Sequence, residues 1–90
     1  MRLEMRHLAI VLTSADLGTL RQAAPALGMS QIALKAQLRR IEQTLGGNLF
    51  RRDNNALILT DLGHHFVRGA RDVTKRFDAL REWTGDSAKQ

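Results

Sequence analysis

Ninety residues with a formal net charge of +5, a pI near 11.1 and no cysteine allow one small domain and leave out disulfide staples and thiolate chemistry. Basic charge on this scale suits an anionic polymer or an acidic membrane surface. Residues 19–52 carry Arg21, Lys35, Arg39, Arg40, Arg51 and Arg52 against Glu42 alone, a surplus equal to that of the whole chain.

In chain order, MRLEMRHLAIVLTSADLG opens with an apolar stretch too short and too interrupted for a membrane span or a clear secretory signal, so a cytoplasmic chain is expected. Leu8, Val11, Leu12 and Ala15 form the stripe of an amphipathic helix from about Met5 to Ala15, which Gly18 ends. Thr19 stands as the N-cap of a second helix with Leu20, Ala23, Ala24 and Leu27 inward, the two alanines allowing close approach. Pro25 lies more than a turn inside that helix at a cost of about 3 kcal/mol, which predicts a kink or an early end. Gly28 and Met29 make a tight connection. Ser30 then caps a third helix whose Leu34, Leu38, Ile41 and Leu45 face inward until Gly46 and Gly47 break it. Two helices joined in this way form a helix-turn-helix pattern.

NLFRR and ALILT, separated by DNN, read as a two-stranded wing. Thr60 caps a last helix with Asp61 in its first turn, where a carboxylate favours the helix dipole. Phe66, Ala70, Val73, Phe77 and Leu80 step by four and three, a coiled-coil seam that predicts pairing with a second copy. Trp83 sits at the edge of that seam as a dimer-packing or interdomain contact, and residues 84–90 read as a frayed tail or the start of a linker. The fold class expected is mainly α: a three-helix core with a hairpin wing over residues 1–60, then a linker helix over 61–83.

On the third helix Gln31, Lys35 and Arg39 share a flank opposite the apolar stripe. A solvated polar face is the ordinary reading of such a flank on an isolated helix. In a helix-turn-helix the first residues after the cap meet base edges in the major groove, and Lys35 and Arg39 reach bases or phosphates from the following turns. A membrane-surface helix does not fit, because the apolar face of this segment is needed for the core. His64 and His65 point about 100° apart on a helix and cannot comfortably share a metal. His7 has no nearby partner in sequence. No cysteine nucleophile, Gly-rich phosphate loop or acid pair set apart from basic neighbours is present, so neither catalysis nor a cofactor is expected.

Arg6-His7-Leu8, Ala23-Ala24, Ser30-Gln31, Ala33-Leu34, Gln37, Arg39, Arg40, Glu42, Leu45-Gly46, Leu49-Phe50, Arg52, Leu59-Thr60 and Gly63 occur at a combined spacing that resembles the N-terminal DNA-binding domain of LysR-type transcriptional regulators. The likeness covers residues 5–83. It implies a winged helix-turn-helix that binds double-stranded DNA as a homodimer through the linker helix, with Gln31, Ile32, Lys35 and Ala36 facing the major groove. Thr19 and Ser30 match positions that touch phosphate, and Arg52 matches a wing arginine. Arg21, Arg39, Arg40 and Arg51 complete the expected backbone contacts. Ile32 stands where proline is common, Lys35 where serine or threonine is, and Ala36 where arginine is frequent, so a shifted base preference is expected. Asn55 and Ala56 replace a common glycine or arginine, which disfavours insertion of the wing into the minor groove. A small-molecule co-inducer is implied only where a C-terminal domain exists in a longer parent protein. The competing expectation is a winged-helix protein-interaction module without specific DNA binding.

Overall fold

The computed structural model describes the backbone of residues 1–89 and the side chains of residues 1–83. Helices α1 (Met5–Leu17), α2 (Leu20–Ala26) and α3 (Gln31–Leu45) are followed by strands β1 (Phe50–Asp53) and β2 (Ala56–Leu59) and by helix α4 (Asp61–Lys89). The expected three-helix core, hairpin wing and long last helix are all present.

Polar caps set the starts of α2, α3 and α4. The Thr19 hydroxyl accepts from the N–H of Gln22 at 3.1 Å, that of Ser30 from Ala33 at 3.0 Å and that of Thr60 from Gly63 at 3.0 Å. Helix α1 starts differently, because the N–H of Glu4 donates to Nδ1 of His7 at 2.8 Å and the imidazole is buried. His7 therefore does have a sequence neighbour as partner, contrary to expectation. Gly18 and Gly46 end α1 and α3 in left-handed conformations, φ 77° and 80°, where a side chain would be strained. Helix α2 runs through Pro25 to Ala26 and closes at Gly28, φ 69°, with the N–H of Met29 donating to the Ala24 carbonyl at 3.0 Å, so glycine and not the proline sets its end.

The core is built from Val11, Leu20, Ala23, Ala24, Leu34, Leu38, Ile41 and Leu49, none more than 1% exposed. Burying a Leu or Ile side chain is worth about 1.5–3 kcal/mol, so the inward edge of α3 is fixed by its own side chains. On α1 the expected stripe is displaced. His7, Ile10, Val11 and Ser14 are buried, while Leu8, Leu12 and Ala15 are half-buried. The reason lies in packing: α1 touches α2, α3, α4 and β2, so its most enclosed line is set by what surrounds it and not by its most hydrophobic edge.

The hairpin pairs Phe50 with Leu59, Arg51 with Ile58, Arg52 with Leu57 and Asp53 with Ala56. Asn54 takes φ 57° in the turn, a conformation asparagine tolerates. The wing is anchored at two further points. Leu57 donates to the carbonyl of Gly18 at 2.8 Å and Leu20 to that of Asn55 at 3.1 Å, joining β2 to the α1–α2 connection. From α3, the buried Glu42 carboxylate accepts the N–H groups of Leu49 at 2.7 Å and Phe50 at 3.1 Å through one oxygen, Oε2.

At 1.5 Å per residue α4 is about 43 Å long, and it continues to Lys89 through most of the segment expected as a frayed tail. A single glycine costs a helix interior only about 1 kcal/mol, too little for Gly85 to stop it; Gln90 lies outside the described residues. Its first turn presses on the wing at Gly63, where an added Cβ would stand 2.0 Å from the carbonyl oxygen of Leu49.

Glu42→Ala is expected to lower unfolding free energy by about 2–4 kcal/mol by stranding two buried N–H groups, and Glu42→Gln, which retains an acceptor, by less. Gly63→Ala is expected to cost about 1–3 kcal/mol through the backbone clash. Urea denaturation measures both, and unchanged midpoints would contradict the packing described.

Candidate nucleic-acid interface

Because Leu34, Leu38 and Ile41 occupy the core, the opposite edge of α3 turns outward. Gln31, Ile32, Lys35, Ala36, Arg39 and Arg40 are all exposed, and Ile32, at 82%, is the most exposed large apolar side chain among the described residues. Ile32, Lys35, Ala36, Arg39, Arg40 and Gln43 line one shallow groove along this face. Ser30 is exposed as well, and its hydroxyl oxygen accepts from Ala33, leaving the hydroxyl proton to donate outward. Thr19 is half-buried with its hydroxyl between the N–H and the side-chain oxygen of Gln22, while Arg21 is exposed in the first turn of α2.

The two wing arginines diverge. Successive side chains of a strand point to opposite faces. Arg52, opposite Leu57, shares a side with the buried Phe50, whereas Arg51 lies opposite the exposed Ile58. Arg52 lines a concavity with Arg39, Gln43, Gly46, Gly47 and Asn48, so the end of α3 and the base of the wing bring two guanidinium groups to one depression. Glu42 also borders it, with Oε2 engaged by the two backbone N–H groups.

Ion pairs among the described residues join Arg6 to Glu4, Arg71 to Asp16 and Arg76 to Asp72. Lys35, Arg39, Arg40, Arg51 and Arg52 take part in none of them. A face with several cations, whose bordering carboxylate Glu42 is engaged through Oε2 by two backbone N–H groups, attracts anions, and guanidinium groups match phosphate in geometry as well as charge. No group of three or more His, Asp or Glu among the described residues is placed to hold a metal ion, and no helix is long and apolar enough to cross a membrane.

The seam expected on α4 divides in two. Val67 and Ala70 are buried within the chain and Phe66 packs half-buried against the core, whereas Val73, Phe77, Leu80 and Trp83 are 48%, 42%, 62% and 67% exposed. Ala70 is buried within the chain and lines the groove that leads into the exposed part of the seam. Leu8 of α1 joins Phe66, Gly69, Ala70 and Val73 in an apolar groove leading into the exposed part. The Arg81 guanidinium stands over the Phe77 ring, 5.9 Å from its centroid.

Two contacts that position these surfaces carry no local sequence signature. One is Glu42, which stands out in the chain as the lone acid of the basic third and as part of the family spacing, neither of which shows its backbone partners. The other is Arg71, whose guanidinium donates to both carboxylate oxygens of Asp16 and so ties α4 to α1. That donation, ahead of the direct charge attraction, holds the Asp16 carboxyl below its ordinary value against a smaller opposing effect of burial.

The chain belongs to the lysR family of bacterial regulatory helix-turn-helix proteins, whose profile matches residues 5–64. A small neutral protease regulatory protein of Streptomyces coelicolor is 46% identical over 78 residues, 87% of this chain and 25% of that protein. The HTH-type transcriptional regulator MetR of Haemophilus influenzae is 37% identical over 81 residues, covering 89% of this chain and 26% of MetR. The chain spans about a quarter of the length of these relatives. Among solved structures, the BenM DNA-binding domain in complex with catB site 1 DNA is similar at a TM-score of 0.90 and 26% identity, over 97% of this chain and 94% of that one. The CbnR DNA-binding domain in its DNA complex gives 0.87 and 28%, over 96% and 99%.

A carboxylate held below the ordinary 3.8 stabilises the fold above the unfolded-chain value and loses that contribution as pH falls through the folded value. Asp16→Asn should therefore lower the thermal midpoint at neutral pH, and its difference from the unsubstituted chain should close below pH 3.8. Calorimetry across acid pH checks this; a difference that persists undiminished would contradict it.

Proposed function

We propose that this chain is the DNA-reading domain of a transcription regulator and binds duplex DNA sequence-selectively as a homodimer. The observation that carries the reading is the outward face of α3, where Lys35, Arg39 and Arg40 stand exposed with no ion-pair partner among the described residues, beside Arg52 at the base of the wing. The DNA complexes of the similar BenM and CbnR domains support it.

In this reading α3 enters the major groove by its N-terminal turns. Gln31 and Lys35 offer donors to base edges, Lys35 to guanine O6 or N7, and Ala36 lets the helix approach closely. Ser30, Thr19, Arg21, Arg39, Arg40, Arg51 and Arg52 hold phosphates and fix the register. The Arg39–Arg52 depression suits a single backbone phosphate approached from two elements. Two chains clasp through Val73, Phe77, Leu80 and Trp83 of α4, which sets their recognition helices about 34 Å apart or a multiple of it. Residues 1–60 then act as the reading unit and the helix beyond them as the linker. A co-inducer site would belong to the part of a parent protein corresponding to what the longer relatives have beyond this match.

Binding to a site selected from a random duplex pool is expected to fall steeply with added salt, and Arg52→Ala should weaken all sequences alike while reducing the salt slope by about 1. Lys35→Ala should instead narrow the gap between selected and random duplex by about 1–3 kcal/mol at one base position. Equal affinity for every sequence would overturn the specific part of the reading. Absence of binding in dilute buffer would favour the protein-interaction module. Phe77→Asp is expected to shift sedimentation from dimer toward monomer, and an unshifted dimer would place the pairing surface elsewhere.

A further inference from the structure

Helix α4 leaves the body of the chain at an ion pair. Val67 and Ala70 are buried, and from Arg71 to Trp83 every residue except the half-buried Thr74 is exposed. At that boundary the Arg71 guanidinium donates to both carboxylate oxygens of Asp16, near the end of α1. Both side chains are about half exposed, and a pair so open to water contributes little to folding. What it supplies is direction. The apolar packing of Val67 and Ala70 is non-directional and lets α4 pivot about its start, which is pressed on the wing at Gly63. A forked guanidinium–carboxylate contact instead fixes both distance and plane. Arg71 lies about 12 Å along the helix from Gly63, and Leu80 about 26 Å. A sideways displacement of about 1 Å at the pair therefore becomes about 2 Å at the exposed seam, and in a dimer both chains contribute it. One base pair moves a half-site by about 3.4 Å and turns it by about 34°, so displacements of this size decide which separation fits.

We propose that Asp16 and Arg71 are positioning residues for DNA recognition: their ion pair sets the angle between the reading unit and α4, and thereby the half-site separation that a dimer accepts. The inference rests on the homodimeric DNA-binding reading above. Neither residue lines the α3 groove or the Arg39–Arg52 depression, so the pair acts on spacing and not on which bases are read.

Two copies of the selected half-site are placed on duplexes whose centre-to-centre separation grows one base pair at a time. Affinities are measured for the unsubstituted chain, for Asp16→Asn, for Arg71→Ala and for the exchanged pair, Asp16→Arg with Arg71→Asp. A thermal melt and sedimentation verify that each variant is folded and dimeric. Removing a charge changes affinity at every spacing alike, so the readout is the profile across spacings, set beside affinity for duplexes with one half-site. An exposed ion pair biases an equilibrium by about 1.5- to 5-fold and a dimer holds two, so in either single variant the advantage of the best spacing over its neighbours is expected to fall by about 2- to 25-fold. The exchanged pair should restore that advantage, and the ranking of single half-site sequences should stay the same in all four proteins. A flat spacing profile in the unsubstituted chain, an unaltered profile in the single variants, or a flattened profile that the exchanged pair does not restore would overturn the proposal while leaving specific DNA binding intact. Failure of the unsubstituted chain to bind any duplex would instead remove the reading on which it rests.

Discussion

The arrangement depends on α3 having a single way to sit. Leu34, Leu38 and Ile41 are completely enclosed, and rotating the helix to bring Lys35 or Arg39 inward would expose these three side chains while burying unpaired cations. Loss of about 1.5–3 kcal/mol for each exposed aliphatic side chain, together with the desolvation of a cation, is comparable to the roughly 5–15 kcal/mol by which such domains are typically stable. The outward direction of the cationic edge is thus a consequence of core packing, and it holds whether or not a ligand is present.

What remains is to hold other groups in register with that edge. Glu42 does this from within α3 by taking the N–H groups of Leu49 and Phe50, so the strand bearing Arg52 starts at a defined height relative to Arg39. The bonds from Leu57 to the Gly18 carbonyl and from Leu20 to the Asn55 carbonyl fix the other side of the hairpin. At the base of α4, Gly63 admits the Leu49 carbonyl and Arg71 reaches Asp16, so the long helix leaves the core in a set direction. Recognition helix, wing and linker helix are therefore connected through short polar contacts at their ends, with the apolar core as the common support.

Much of this was legible in the chain. The step of four and three through Leu34, Leu38 and Ile41, the caps Thr19, Ser30 and Thr60 and the DNN turn are local signals, and local signals place helices and hairpins correctly. The rotation of α1 was not legible, since burial of His7 and Ser14 in preference to Leu8 and Leu12 is decided by which neighbours cover that helix. For the same reason the sequence seam does not show that Ala70 is buried within the chain while Val73, Phe77 and Leu80 are exposed. The divergence of Arg51 and Arg52 needed the strand register, and the role of Glu42 needed its partners, which are backbone groups without sequence identity. The surface expected to meet DNA was legible as a charge pattern; its joining of Arg39 to Arg52 was not.

Hydroxyl-radical footprinting of the chain on its selected operator tests the central claim, that a core-fixed cationic edge is presented twice to one duplex by chains clasped through α4. Two clusters of protected sugars on one face of the DNA, separated by about 34 Å or a multiple of it, are the result predicted. A single cluster, or protection spread evenly along the duplex, would contradict it.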